Sequence, residues 1–261
     1  MKKVTVKDLL EAKGKFKLSQ INVHTVDNAR ACEAAGIEMM ITWDRSPIEE
    51  FRSAAPNTFF TAGMVYGEQI TEKDALSAAF DLLSKGADGI YFPGRIQLVE
   101  TLASEGIPVH GHIGFVPYKK TWSGGVKGVG KTASEANKLL QRARDYENAG
   151  AIAIEVELVP PKVAKVITDK VTLLTVSMGS GSECDAQYLF AKDILGINEG
   201  HIPRHAKVYR NQSQVYRELY NDSVQAFREF KSEVQLQTFP SKETEIQISQ
   251  AEYDKFCESI T

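Results

Sequence analysis

The chain has 261 residues, with 31 basic against 34 acidic side chains for a net charge of −3, and it is 43% hydrophobic and 25% charged. Those proportions belong to a globular protein; they exclude a disordered tail, a collagen-like repeat and a disulfide scaffold. The absence of a basic surplus argues against a nucleic-acid binder. No apolar run approaches the roughly 20 residues that span a bilayer. The opening MKKVTVKDLLEAKGKFK reads as a charged amphipathic N-terminal helix without a signal-peptide apolar core. Three well-separated cysteines, Cys32, Cys184 and Cys257, read as reduced thiols of a cytoplasmic protein.

Short apolar runs then alternate with helix-like segments. Strands are predicted at 18–24, 37–43, 57–63, 87–92, 107–112, 151–158 and 171–176, and helices at 26–35, 47–54, 71–85, 96–105, 133–149 and 160–168. Four helices end on glycine before the next strand (EAAG-IEMM, LSKG-ADGI, ASEG-IPVH and ENAG-AIAI), the residue that takes the left-handed turn into a strand. Residues 183–196 read as helical, with room for a short closing eighth strand. Residues 211–233 read as a helix capped by Asn211 or Ser213, and 241–261 as a tail with a weak amphipathic helix at 249–259. There is no linker, and no G-x-G-x-x-G follows the first strand, which lowers a nucleotide-binding reading. Regular βα alternation over this length predicts an α/β fold: a single (β/α)8 TIM barrel over 1–261, with an N-terminal helix and a C-terminal helical extension.

The two-residue period of a strand assigns faces. In 151–158 it puts Ile152, Ile154, Val156 and Leu158 outward, against the helices, and Ala151, Ala153, Glu155 and Glu157 inward. In strand one Ile21 and Val23 face out, and Gln20, Asn22 and His24 face in. In strand two Met39, Ile41 and Trp43 are expected outside, and Met40, Thr42 and Asp44 inside. His110 and His112 share one face of strand five. His24, Asp44, His112 and Glu157 thus gather at the carboxyl ends of separate strands, where barrel enzymes build their sites.

At this point residues 107–197 resemble ketopantoate hydroxymethyltransferase. The likeness is carried by IPVHGHIGFVP, by SGGVKGVGKT before a long helix, and by ENAGAIAIEVELVP, VSMGSGSECDAQ and KDILGI. GHIPRHAKVYR is similar to the family's late G-H-I-P-K-F-A-K, and strand two ends TWDRSP where the family has a G-D-S-L-G turn. The likeness covers most of 15–240. It implies the barrel of the phosphoenolpyruvate mutase/isocitrate lyase superfamily, in agreement with the fold above. It also implies transfer of a one-carbon unit from methylenetetrahydrofolate to the carbon beside the carbonyl of a 2-oxo acid. A divalent, magnesium-type metal would stabilise the enolate, and the chain would form a homo-oligomer with neither nucleic acid nor membrane as partner.

Carried over residue by residue, the resemblance matches Glu157 to the catalytic glutamate of L-E-C-V-P, His112 to the histidine of G-H-[IL]-G, and Asp44 to the first metal-linked aspartate. Arg45 stands where a serine follows that aspartate, with Ser46 displaced by one; Asp44, Arg45, Ser46 and Tyr91 are expected at the substrate. The second metal-linked aspartate, in A-D-[LM]-P-F, falls on Gly63. The strand-four lysine and glutamate of V-K-[IL]-E-G-G fall on Tyr91 and Pro93. Two readings accommodate these departures. In one, Arg45 pairs with the substrate carboxylate. In the other, a metal moves to His24, His110 and His112 with Asp44 or Glu157, a nitrogen-rich set suited to zinc, iron or manganese, although His110 reads more readily as a deeper core residue. Lys127, in the glycine-rich loop 123–131, is placed near an anionic substrate. GSGS at 179–182 offers either anion-binding amides or a tight turn, and His201 and His205 read as packing and capping groups. The rival readings are a folate-independent lyase or hydrolase of the same superfamily, and a catalytically silent barrel that acts as a binding partner.

Overall fold

In the computed structural model, which describes residues 2–43, 46–198 and 200–260, the elements run α1 (Val6–Ala12), β1 (Leu18–Asn22), α2 (Val26–Ala35), β2 (Met39–Trp43), α3 (Ile48–Ala54), β3 (Phe59–Gly63), α4 (Glu72–Ser84), β4 (Gly89–Tyr91), α5 (Ile96–Ser104) and β5 (Val109–Gly114). A short 3₁₀ turn at Pro117–Lys119 leads into α6 (Lys120–Ser123), α7 (Ala133–Asn148), β6 (Ala153–Glu157), α8 (Pro161–Lys170), β7 (Leu174–Met178), β8 (Ala186–Phe190) and α9 (Ala191–Ile194). Asp44 and Arg45, both expected at the site, lie outside the described residues. The eight strands are parallel and close into a barrel, each pairing with the next and β8 returning to β1. The chain divides into two compact units, the barrel through Arg210 and a helical unit from Asn211 onward. The second contains α10 (Gln212–Gln235), whose cap is Asn211, and α11 (Gln250–Glu258). Among the described residues no helix is long and apolar enough to cross a membrane.

Local signals explain the boundaries. Thr5, Thr71 and Thr132 each accept from a backbone N–H three residues on, while the acid at that position bonds back, a reciprocal cap. The four helix-ending glycines all adopt positive φ, from 72° at Gly36 to 104° at Gly86, where a side chain would be strained.

Two apolar layers hold the barrel. The outer one joins strands to helices through residues such as Met40, Ile90, Val109, Ile154 and Val156. The inner one fills the barrel with Met39, Ile41, Phe59, Leu174, Val176 and Tyr188, and Leu9 and Ala12 of α1 pack against it. The ion pair Lys13–Asp185 (2.7 Å) also ties this N-terminal segment to the barrel, and Asp185 accepts from both the backbone and the hydroxyl of Thr175. Of the cavities described, the one among the strand ends therefore opens on the opposite side, at the carboxyl ends.

Three expectations need correction. Ahead of β6, Ala151 joins the outer layer and Ile152 packs against the inner one, the reverse of the expected faces. Strand two is turned over: Met39 and Ile41 lie inside and Met40 outside, while the Thr42 hydroxyl donates to Val23 O (3.0 Å). Three consecutive apolar residues carry no alternation to read, because a parallel barrel strand is buried on both faces. Residues 183–196 are not one helix: the eighth strand, for which the sequence left room, occupies 186–190, and only one turn of helix follows. Tyr188 faces inward on this strand, and its register with β1 pairs Gln20 with Tyr188.

Candidate active site

A cavity of about 680 Å³ lies at the carboxyl ends of the strands. Its floor and walls are strand residues: Asn22, Trp43, Tyr91, His112, Glu155, Glu157 and Tyr188. Its mouth is formed by two loops, one carrying Lys127 and Lys131, the other His201, Arg204 and His205.

Strands β5 and β6 build the acid–base part. Their register pairs His112 with Glu155 and Gly114 with Glu157. Gly114 is necessary for this closeness: at φ +92° an added Cβ would stand 2.1 Å from Glu157 O, and the Phe115 N–H donates to that same oxygen (2.9 Å). Just beyond, Leu158 holds a positive φ of 51°, a strained conformation for a branched side chain. His112 Nε2 lies 2.8 Å from Phe115 O and 3.3 Å from a Glu157 oxygen. A carbonyl only accepts, so Nε2 carries a hydrogen. On the other side Nδ1 is 2.5 Å from the Tyr91 hydroxyl and 3.9 Å from Glu155.

These groups are buried and set one another's charge. Burial works against a charged His112, but Glu155 and Glu157 beside it prevail and raise its pKa above the ordinary value. Burial raises the Glu155 carboxyl to about 7, against the opposing pull of His112. Burial, with Glu155 next, also holds the Tyr91 hydroxyl well above its ordinary value, so it remains protonated. The Tyr91 hydroxyl thus sits between His112 Nδ1 and the Glu155 carboxyl, hydrogen-bonded to both.

The other predicted residues are distributed unevenly. Tyr91, His112 and Glu157 meet in the cavity, and Lys127 stands at its mouth as expected. Ser46 does not line it; its hydroxyl sits 2.8 Å from that of Thr42. His24 is exposed and stacks on Phe190 (ring centroids 5.9 Å), apart from the acidic cluster. His110 lies deeper, its pKa lowered to about 3 chiefly by burial, and its Nε2 has no partner among the described residues. That is a neutral core histidine, one of the two readings left open by the sequence. GSGS closes as a tight turn: Ser180 donates to Val156 O (2.7 Å) and accepts from Val159 N (2.9 Å). His201 and His205, expected only to pack and cap, line the mouth. Glu155 was placed on the inner face but not at the chemistry. The signal was there, since two carboxylates two residues apart on a strand share a face.

The resemblance implies a divalent metal, and the donor set decides whether one fits. Among the described residues, His112, Glu155 and Glu157 have donor atoms all within 4.8 Å of one another, the one group there that could hold an ion. Yet Nε2 of His112 is protonated toward Phe115 O, and Nδ1 is taken by Tyr91, so the ring offers no lone pair to a metal. On the opposite wall, an ideal Cβ on Gly63 would meet Trp43 Cε3 at 3.1 Å, so the indole covers the place from which the family's second aspartate would project. The described donors do not fit a magnesium-type ion, which requires an octahedron of oxygens.

Comparison with known proteins agrees with this picture of a shared scaffold. The family model described as ketopantoate hydroxymethyltransferase matches residues 46–242. The 3-methyl-2-oxobutanoate hydroxymethyltransferase of Thermosipho africanus (strain TCF52B) is 32% identical over 266 residues, covering 92% of this chain and 97% of its own. That of Nitrosopumilus maritimus (strain SCM1) is 31% identical over 281 residues and covers 98% of both chains. Among solved structures, a putative phosphonomutase from Burkholderia cenocepacia J2315 superposes with a TM-score of 0.56 at 15% identity, covering 72% of this chain and 93% of that one, a likeness of fold.

Proposed function

The chain belongs to the ketopantoate hydroxymethyltransferase family, and on that premise we propose that it makes or breaks a carbon–carbon bond beside the carbonyl of a 2-oxo acid, with methylenetetrahydrofolate as one-carbon donor. The observation that carries this reading is the contact between His112 and Glu157, 3.3 Å apart at the floor of the cavity. Glu157 is the proton-transfer group, placed to take hydrogen from the carbon beside the carbonyl, and His112 holds the opposing charge. Lys127, Lys131 and Arg204 at the mouth attract the substrate's carboxylate, a duty the family gives to the lysine that Tyr91 replaces.

The pocket differs from one shaped for ketopantoate synthesis, because Trp43 and Tyr91 wall one side of it, packed edge to face with ring centroids 6.0 Å apart. The substrate is accordingly a 2-oxo acid that fits beside an aromatic wall. We further place the enzyme in the cytoplasm, in keeping with the buried thiols of Cys32 and Cys184, and expect a homo-oligomer, which light scattering after size exclusion would measure. The test of function is release of tetrahydrofolate from methylenetetrahydrofolate across a panel of 2-oxo acids led by 3-methyl-2-oxobutanoate. Release with at least one acid supports the reading. Release with none removes the transfer and leaves folate-independent cleavage of the same bond.

A further inference from the structure

Among the described residues, four buried side chains keep a polar atom without a hydrogen-bond partner: Gln20, Asn22, His110 and Tyr146. A bare polar group in a dry interior is costly unless something else completes it. Of the four, Asn22 lines the cavity at the strand ends. It closes β1 and is 1% exposed. Its Nδ2 donates to the Tyr188 hydroxyl of β8, 2.9 Å away, and the bare atom is the amide oxygen Oδ1. Tyr188 lines the same cavity and is 3% exposed. A phenol keeps its hydrogen at neutral pH, and among the described residues the Tyr188 hydrogen meets no acceptor.

The pair therefore presents one acceptor, Asn22 Oδ1, beside one donor, the Tyr188 O–H. A carboxylate would take the donor but be repelled by the amide oxygen. An ammonium group would do the reverse, and a methyl group would satisfy neither. A hydroxyl group gives its hydrogen to the one and takes a hydrogen from the other. The neighbours supply no substitute: the strand register flanks Asn22 with Ile41 of β2 and Phe190 of β8, both apolar and both lining the cavity.

We propose that Asn22 and Tyr188 determine specificity by reading a hydroxyl group that the 2-oxo acid's side chain already carries before any one-carbon unit is added. The proposal rests on the 2-oxo acid reading above and narrows it to hydroxylated acids. Position separates this hydroxyl from any that the transfer would create. In the closed barrel β1 stands three strands from β6, which carries Glu157, and β8 stands two. A group added to the carbon at Glu157 stays on that side, whereas the far end of the side chain crosses the cavity to β1 and β8. Recognition makes and breaks no covalent bond.

The test uses the full-length protein and follows by NMR, in heavy water at neutral pH, exchange of the proton beside the carbonyl, corrected for the uncatalysed rate. Two pairs of acids each differ at one group: 3-(4-hydroxyphenyl)-2-oxopropanoate against 3-phenyl-2-oxopropanoate, and 7-hydroxy-2-oxoheptanoate against 2-oxooctanoate. In at least one pair the hydroxylated member is expected to exchange with a kcat/KM about 10-fold or more above its partner. Asn22→Leu is expected to bring the two within about twofold, by raising KM for the hydroxylated acid while its partner exchanges as before. Tyr188→Phe is a second variant with the same expected loss of preference, a ratio that a merely structural role would not move. Equal exchange within both pairs by the natural protein overturns the proposal and leaves the 2-oxo acid reading intact. A preference that survives both substitutions places the recognition elsewhere and overturns it too. Absence of exchange with every acid, 3-methyl-2-oxobutanoate included, overturns the 2-oxo acid reading and this proposal with it.

Discussion

The cavity has two sides of opposite character. Along β5 and β6 the family's words survive in sequence and in geometry: His112 and Glu157 face each other across a strand pair drawn together at Gly114. Along β3 and β4 the corresponding side chains are exchanged for Gly63 and Tyr91, and Trp43 of β2 packs against both as a wall. On the proposed reading, the difference teaches that the proton-moving half of the site and its charge-stabilising half are separable. A barrel can keep one and rebuild the other, because each strand presents its side chains to the mouth independently.

On that division, the retained side should be brittle and the rebuilt side tolerant. The largest effect is expected from Gly114→Ala, whose Cβ would collide with Glu157 O in a left-handed backbone. Strain and overpacking together should cost on the order of 4 kcal/mol, read as a lowered denaturation midpoint. Next comes Glu155→Gln. Because the folded-state pKa of Glu155 is raised, from 4.5 to about 7, its contribution to stability is full below pH 4.5 and is lost as pH rises through about 7. Melting curves should show the variant gaining on the natural protein across that window, by up to about 3 kcal/mol, then running parallel above it. A gain that shrinks with rising pH would mean that His112 and Tyr91 stabilise the Glu155 anion instead. On the rebuilt side, Gly63→Ala meets a half-exposed indole that can give way (3.1 Å) and the Thr42 backbone oxygen (3.2 Å), so chemical denaturation should register on the order of 1 kcal/mol. The smallest effect belongs to His24→Ala, an exposed ring outside the cluster. Stability within about 0.5 kcal/mol and unchanged exchange of substrate protons are expected, and a large loss would draw β1 into the site.

Much of this was legible in the chain. Helix-ending glycines and capping threonines mark the βα repeat, so the barrel and most boundaries could be read from spacing. The words around His112 and Glu157 carried the family and half of the site. The orientation of β2 was not legible, because Met39, Met40 and Ile41 are alike in polarity and only the register with Gln20 and Phe59 orients them. The strand at 186–190 was masked by an adjoining helical turn. The Tyr91–His112 bond joins residues 21 apart on neighbouring strands, and no local pattern announces such a pair. The mouth residues His201, Arg204 and His205 lie in the word GHIPRHAKVYR, which carried the likeness to the family but gave no sign that the segment returns to the cavity.

The most direct test compares Glu157→Gln with Glu155→Gln for exchange, in heavy water at neutral pH, of the proton beside the carbonyl of a 2-oxo acid, followed by NMR, with circular dichroism to verify that both fold. The account predicts that Glu157→Gln lowers exchange by about 1,000-fold, in the range of a lost general base, whereas Glu155→Gln retains measurable exchange with an altered pH profile. Full exchange by Glu157→Gln, or its abolition by Glu155→Gln alone, would contradict the assignment of proton transfer to residue 157.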